Sequence, residues 1–229
     1  MKEKRLAKLL SDLIIITVVV IVGVVAFVDV DMENQTVTAP IYEGEKEHTV
    51  SFMFNVAKGG EYLTQIITLL SEYDVKATFF VSGKWAINNG NLVKTLVKNG
   101  HEIGNSGYLN RNYSALSISD VKGEIITTER IIDDVAGDHS KLFSPPGGVV
   151  SENVLKASDE LGYDLVLWSL ELLSDDDTPE TIVKTVVDNL SSGDIIHAKM
   201  SENFIKAFPE IIKFCRSQKF EIKILSECI

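Results

Sequence analysis

The longest apolar stretch of the chain lies near its amino terminus, over residues 13–28. Only Thr17 and Gly23 interrupt it, and it lacks the polar face that repeats every 3.6 residues in a soluble amphipathic helix. With Leu9 and Leu10 it approaches the roughly 20 residues that a helix needs to cross a bilayer. The pattern predicts a transmembrane signal-anchor over residues 13–28, with a cleaved signal peptide as the alternative.

The charges beside this stretch predict its orientation. Four basic side chains precede it and two acidic side chains, Asp29 and Asp31, follow it. By the positive-inside bias, residues 1–12 lie in the cytoplasm and the rest of the chain lies outside. Residues 29–48 are polar and aperiodic, which is typical of an extracytoplasmic linker. We therefore expect a single-pass cell-membrane protein whose domain, 49–229, is extracytoplasmic, or a secreted protein if the signal is cleaved.

From residue 49 onward, strand-like and helix-like segments alternate. Predicted strands cover residues 49–55, 76–82, 101–105, 141–143, 164–168, 194–198 and 220–225. Predicted helices cover residues 61–73, 84–98, 117–136, 151–161, 178–190 and 202–217. Strands separated by helices of this length indicate parallel βαβ units, and hence the α/β class. Periodicity alone leaves open whether they form a distorted (β/α) barrel or an open doubly wound sheet.

The net negative charge of the chain limits the classes of ligand that it could bind. The chain has 22 basic against 33 acidic side chains and a net charge of −11, which disfavours nucleic acid and other polyanions as ligands. A neutral or cationic glycan stays compatible with this charge. Cys215 and Cys228 belong to no C-x-x-C pattern, and a disulfide between them stays open.

Five short motifs lie at or next to the predicted strand ends. They cover residues 51–62, 100–110, 142–148, 166–175 and 192–199. In this order and spacing they resemble the polysaccharide deacetylases, the NodB-homology family of metal-dependent carbohydrate esterases. The chain is most similar to divergent members from Gram-positive spore formers, whose first motif reads like M-F-N-V. The resemblance implies the distorted barrel, whose active site lies at the carboxyl ends of the strands.

The resemblance also implies which positions carry the family's chemistry. The family holds a divalent metal such as zinc with one Asp and two His, and uses another Asp as base and another His as acid. Here the corresponding positions carry Val56 (metal Asp), Ser106 and Asn110 (metal His), Asn55 (base), Ser144 (an Arg that orients the base), Ser174 (the second Asp of the fourth motif) and Lys199 (acid). We therefore expect neither a metal, nor another cofactor, nor the family's catalytic residues.

Several polar and aromatic residues of these motifs are candidates for a pocket of another kind. They are Asn55, Glu171, Asp175, His197, Lys199 and, on an early helix, Trp85. Strand alternation places His197 and Lys199 on one side of their strand. One interpretation is a rebuilt site, in which a Lys of lowered pKa acts beside a His. The other is that Lys199 neutralises Glu171 or Asp175 while His197 fills space. Trp85 is a candidate for stacking on a sugar, whereas Trp168 is expected in the core.

The leading functional hypothesis is a membrane-anchored, catalytically inactive deacetylase-like protein. It would bind a cell-wall glycan or an envelope protein, and the resemblance adds a cell-envelope or sporulation role. One alternative is an active hydrolase that cleaves amide C–N bonds of a wall polysaccharide through a rebuilt site. Another is a structural partner of an active deacetylase.

Overall fold

The chain divides into two units, Met1–Thr36 and Val37–Ile229. The computed structural model describes residues 13–19, 38–57, 60–137 and 139–229. In the first unit, residues 13–19 form a helix, α1, and most of their apolar side chains are exposed. Residues 20–28 of the predicted signal-anchor lie outside the described residues. Among the helices that are described, none combines the length and the apolar character needed to cross a membrane.

The second unit is built on one parallel sheet. Its strands are β1 (Thr49–Val56), β2 (Thr78–Val81), β3 (Glu102–Asn105), β4 (Leu142–Phe143), β5 (Asp164–Leu165), β6 (Leu170–Leu172), β7 (Ile195–Ala198) and β8 (Glu221–Ile222). The order is β5-β4-β3-β2-β1-β7-β6, and β8 pairs with the start of β1. Every strand pair is parallel. The predicted α/β class is therefore confirmed, and the sheet is a curled half-barrel, with no pairing between β5 and β6 in the described ranges.

Seven helices of this unit cover the described part of the sheet's outer face. They are α2 (Leu63–Glu72), α3 (Gly83–Asn88), α4 (Gly90–Lys98), α5 (Ile118–Ala136), α6 (Glu152–Glu160), α7 (Pro179–Asn189) and α8 (Glu202–Ser217). A Ser or Thr before α5, α6, α7 and α8 accepts a hydrogen bond from the backbone N–H three residues later. Such caps satisfy N–H groups that have no partner within the helix, which explains where these helices begin.

Two predicted elements differ from the observed ones. The single helix expected over residues 84–98 is two helices, because Asn89 leaves the helical conformation at φ −130°. Its side-chain Nδ2 donates to Trp85 O at 2.9 Å, so the amide group caps the end of α3. The strand expected over residues 164–168 stops at Leu165, and the chain forms a further strand, β6, that the apolar pattern did not separate.

Side chains of β1 alternate between two apolar layers. Phe52 and Phe54 pack in the larger cluster between the strands and helices such as α2 and α8. Met53 points to the opposite face, where it packs with Phe80 and Ile195 from neighbouring strands. Alternate side chains of a strand point to opposite faces, so the inner face of the half-barrel is filled at this level. Asn55, two residues beyond Met53 along β1 and with the same parity, is the first polar side chain beyond this layer toward the carboxyl end of the strand.

The segment before β1 packs against the sheet. Ile41 N–H donates to Leu165 O, and Ile41 O accepts from Leu167 N–H, both at 2.8 Å. Gly44 N–H donates to Gly193 O at 2.7 Å. The folded unit therefore begins before residue 49, because residues 38–48 of the predicted linker are hydrogen-bonded to the domain.

The two cysteines lie in different parts of this unit and are both free and buried. Cys215 belongs to the helix-facing core, whereas Cys228 Sγ accepts a hydrogen bond from Ser51 Oγ at 3.0 Å. The structure therefore contains no disulfide between them.

Candidate functional site

The first motif ends β1 with one polar and one apolar residue. Asn55 has the same strand parity as Met53 and is half-buried, and its Oδ1 has no hydrogen-bond partner among the described residues. Val56 has the parity of Phe54 and is fully buried in the helix-facing core. An isopropyl group offers no lone pair. Position 56 therefore stabilises the fold by apolar packing.

The second and third motifs meet through a hydrogen bond. Ser106 Oγ donates to Ser144 O at 2.9 Å, and both residues are almost fully buried. Ser144 Oγ is buried without a partner among the described residues. Asn110 lies apart from this pair, exposed on the rim. The two positions that the resemblance assigns to metal histidines thus carry a serine engaged with the backbone and a solvent-facing amide.

A buried glutamate on α5 holds the loop of the second motif. Glu124 is only 6% exposed. Its Oε2 accepts from Leu109 N–H at 2.6 Å and from the Tyr113 hydroxyl at 3.0 Å. Its Oε1 lies 2.7 Å from Arg111 Nη2. The sequence analysis missed this residue, although its spacing of three from Val121 places it on the inner face of the helix.

The start of the same loop is fixed by Asn105 and Gly107. Asn105 Oδ1 accepts from Gly107 N–H at 2.8 Å, while its Nδ2 donates to Ile125 O at 2.9 Å. Gly107 has φ +75°, and a Cβ there would overlap the Tyr113 hydroxyl. The loop between β3 and α5 is therefore held at its start by Asn105 and along its middle by Glu124, both of them buried side chains.

Near the strand ends, the side chains of Trp168 and His197 contact each other. The rings of Trp168 and His197 lie 4.2 Å apart between centroids, and a Cβ on Gly148 would lie 2.7 Å from the edge of the indole. This contact joins the third, fourth and fifth motifs. Burial lowers the pKa of His197 to about 4, so the ring is neutral at pH 7. Its Nδ1 has no partner in the described part of the chain.

The charged candidates lie on the rim. Lys199 forms an ion pair with Asp175, which is 87% exposed, as the neutralising interpretation expects. Glu171 lies beside His197 in the β6–β7 register and is exposed. Since an ion pair in water contributes little free energy, Lys199 and Asp175 shape the rim without forming a buried reactive centre.

The two tryptophans exchange their expected places. Trp85 is 5% exposed and packs in the helix-facing core, away from any surface on which a sugar could stack. Trp168, expected in the core, is half-buried and lies beyond the carboxyl end of β5. Trp168 follows the apolar run 165–167, which favours burial, whereas Trp85 has Lys84 and Asn88 as neighbours, which favours exposure. The local pattern therefore predicts the opposite of the packing.

The side chains present do not fit the divalent metal of the resembled family. Val56 has no donor atom, the Ser106 hydroxyl is engaged with Ser144 O, and Asn110 is a neutral amide on the rim. Across the described ranges, no group of three or more His, Cys, Asp or Glu is placed to hold a metal ion. Zinc in proteins takes thiolate, imidazole or carboxylate ligands, so this donor set offers no route for metal-assisted hydrolysis.

Comparison with known sequences supports the resemblance to polysaccharide deacetylases. A sequence profile described as Polysaccharide deacetylase matches residues 43–166. An uncharacterised Bacillus subtilis protein, YlxY, is 28% identical over 190 residues, which cover 82% of this chain and 60% of that protein. A peptidoglycan-N-acetylglucosamine deacetylase of Bacillus cereus is 31% identical over 191 residues, covering 80% of this chain and 89% of that protein. For a second deacetylase of that name and organism, at 32% identity, 54% of its length is covered.

Solved structures give the same fold. A CE4 family pseudoenzyme from Bacillus anthracis has a TM-score of 0.79 at 28% identity, covering 83% of this chain and 68% of that one. A mutant of that pseudoenzyme, described as having restored enzymatic activity, has a TM-score of 0.79 at 26% identity, covering 83% of this chain and 71% of that one. A family 4 carbohydrate esterase from the same organism has a TM-score of 0.72 at 27% identity, covering 82% and 86%.

Proposed function

The chain belongs to the polysaccharide deacetylase family, and from this premise we propose that it is a catalytically inactive member that binds a cell-envelope glycan at its strand ends. The observation that carries the proposal is Val56. Where the family places a metal-binding carboxylate, this chain has an apolar side chain that is fully buried in the core. Loss of the metal together with the proton-transfer groups removes the chemistry, because each general acid or base contributes about 10²–10⁴ in rate.

Glycan binding is supported by the surface that replaces the reactive centre. Trp168 is half-buried beside His197 and Gly148, so one part of the indole packs and another part meets solvent. An aromatic ring in such a position offers an apolar face to the C–H face of a sugar. Relatives with 31% and 32% identity are named for deacetylation of peptidoglycan N-acetylglucosamine, which suggests a wall glycan as the ligand class.

The first test measures zinc binding by calorimetry and acetate release from N-acetylchitotetraose, using the whole chain. We expect neither from the wild type. Acetate release by the wild type, lost in Lys199→Ala or His197→Ala, would overturn inactivity and support a hydrolase with a rebuilt site.

The second test measures direct glycan binding. N-acetylchitotetraose is titrated into the whole chain and into Trp168→Leu, with Tyr42→Leu as a control at another exposed aromatic. We expect Trp168→Leu to weaken binding about tenfold, as loss of a stacking ring does, and the control to have no effect. If neither this glycan nor any wall fraction binds, while an active deacetylase co-purifies, the chain is a structural partner.

We also propose that residues 13–28 anchor the domain outside the cell membrane. The apolar stretch and the charges beside it support this orientation. The test is fractionation of cells that produce the whole chain, followed by protease digestion of intact spheroplasts. We expect the chain in the membrane fraction and its domain to be cleaved from outside. Recovery of a shortened chain from the medium would indicate signal cleavage instead.

A further inference from the structure

Two basic side chains line a groove beside the strand ends, in a chain of net charge −11. The groove has a volume of about 360 Å³ and is lined by Ala57, Ser82, Lys84, Leu109, Asn110 and Arg111. The lining contains two cations and no carboxylate. We propose that this groove binds a carboxylate group on a saccharide, so that the glycan that this protein takes is an acidic one. The inference rests on the proposed glycan binding and narrows its ligand class.

Hydrogen bonds fix the backbone segments that carry Lys84 and Arg111. Gly83 N–H donates to Gly107 O at 3.0 Å and Lys84 N–H to Tyr108 O at 3.1 Å, which ties the start of α3 to the loop after β3. Glu124 fixes the same loop from below through Leu109 and Tyr113. Because the backbone around both cations is already ordered, a ligand would lose little free energy in ordering it.

Glu124 orients the guanidinium of Arg111 and contacts one of its nitrogens. One nitrogen, Nη2, lies 2.7 Å from Glu124 Oε1, and the side chain is 43% exposed. A guanidinium has five N–H donors, so one bond to Glu124 leaves others for a ligand. The negative charge of Glu124 is shared with the Leu109 N–H and the Tyr113 hydroxyl. Arg111 is therefore a preorganised donor at the groove, of the kind that binds carboxylates in forked geometry.

Lys84 supplies the second charge. Its side chain is exposed, and no ion pair involves it within the described ranges. Asn110, which also lines the groove, offers an amide to the hydroxyl or acetamido groups of a sugar. A single carboxylate suits two cations at the groove, whereas a polyanion would meet the repulsion of the whole chain.

The test compares two oligosaccharides of equal length with the whole chain in detergent micelles. One is N-acetylchitotetraose, which is neutral. The other is a peptide-free tetrasaccharide of alternating N-acetylglucosamine and N-acetylmuramic acid, which carries free carboxylates. We expect the acidic ligand to bind about tenfold more tightly, as one charge-assisted contact provides. Lys84→Gln and Arg111→Gln should each lower the affinity for the acidic ligand toward that for the neutral one, so that most of the preference is lost.

Matched controls lie on exposed faces of α4 and α5. Lys94→Gln and Arg130→Gln remove the same charges away from the groove and should leave the preference intact. Lys84→Gln is the cleaner variant, since Arg111→Gln also removes the ion pair with Glu124. Equal binding of both ligands, unchanged in the variants, would overturn the acidic-ligand inference while keeping glycan binding. Failure of both ligands to bind would overturn the proposed function as well.

Discussion

At the scale of single residues, Val56 links the loss of chemistry to the stability of the fold. It is fully buried among apolar side chains of the core. An ionisable group placed there loses its hydration without gaining a partner. We expect Val56→Asp to lower the free energy of unfolding by about 3 kcal/mol or more, measured by urea denaturation at pH 7. Val56→Ala, which removes volume without adding charge, should cost less, and equal stability of Val56→Asp and wild type would contradict the burial.

Two buried histidines predict how stability depends on pH. Burial, with a smaller contribution from Lys76 for His101, lowers the pKa of His101 and His197 from 6.5 to about 4. Both rings are neutral in either state above pH 6.5. Between pH 6.5 and 4 the unfolded chain binds protons that the folded chain does not, so stability falls as pH falls through this range. At pH 5 we expect a loss of about 2 kcal/mol per histidine relative to pH 7.

The measurement is urea unfolding at pH 7 and pH 5 for the wild type and His197→Gln. The variant removes one of the two buried histidines whose pKa is lowered, so their contribution to the difference in unfolding free energy between the two pH values should roughly halve. The side-chain carboxylates whose pKa values are lowered, those of Asp120, Glu152, Glu180 and Glu202, lose their contribution only at lower pH. An unchanged pH dependence in His197→Gln would show that His197 does not remain neutral in the folded state.

Site residues differ in how far the sequence predicts them. The motifs predict that Asn55, Ser106 and Lys199 lie near the strand ends, since each follows or closes a strand. They predict the wrong tryptophan as exposed, because Trp168 follows an apolar run and Trp85 has polar neighbours, whereas packing decides which ring meets solvent. Glu124 was missed because a glutamate on a long helix is usually solvated, and its partners lie 11 to 15 residues away in a loop.

At the scale of elements, the loop between β3 and α5 depends on Glu124. A glutamine has one acceptor oxygen in place of two, so it cannot serve Leu109, Tyr113 and Arg111 together. We expect Glu124→Gln to destabilise the protein by about 1–3 kcal/mol and to speed amide hydrogen exchange in residues 106–116 more than in β3. Asp134→Asn, on an exposed position of the same helix, is the control and should change neither quantity. Unaltered exchange at Leu109 in Glu124→Gln would show that other contacts hold the loop.

The order of the elements is well predicted, and their ends are not. Gly137 and Gly162 follow α5 and α6 at positive φ, as the glycine signals indicate. The break at Asn89 has a local signal, the Asn89-Gly90 pair within the polar run 88–91, but the prediction followed the apolar residues on both sides of it. The strand β6 was hidden because its residues pair with residues of β7 that lie 26 positions further along the chain, and such pairing leaves no local pattern. For β6, a contact with a distant strand and not the local sequence decides where the strand forms.

At the scale of the whole molecule, the half-barrel is held together where its sheet does not pair. The segment around Ile41 forms a parallel bridge with Val166 beyond β5, and Glu43 forms an antiparallel bridge with Asp194 before β7. One short segment therefore spans the gap between the two sides of the sheet. The sequence could not predict that this segment bridges the sheet, since residues 29–48 are polar and aperiodic, a pattern typical of a linker.

Gly193 connects the segment before β1 to the start of β1 by two backbone hydrogen bonds. Gly193 has φ +88°, donates from its N–H to Thr49 O at 2.8 Å and accepts at its O from Gly44 N–H at 2.7 Å. Glu45 N–H in turn donates to Cys228 O at 2.9 Å, so the segment before β1 also holds the last turn of the structure. A Cβ on Gly193 would overlap Gly44 O, and the side chain would be strained at this φ. Neither the space nor the backbone conformation suits any other residue.

We therefore expect Gly193→Ala to lower the free energy of unfolding by about 2 kcal/mol or more, measured by urea denaturation. Gly123→Ala is the matched control, since a Cβ at that position in α5 meets nothing within 4 Å. Alanine is favoured over glycine inside a helix, so the control should stabilise the protein by about 0.5–1 kcal/mol. The same chemical change would then have opposite signs at the two sites. A stabilising Gly193→Ala would mean that the segment before β1 is free to move away, and that the closure of the half-barrel does not depend on it.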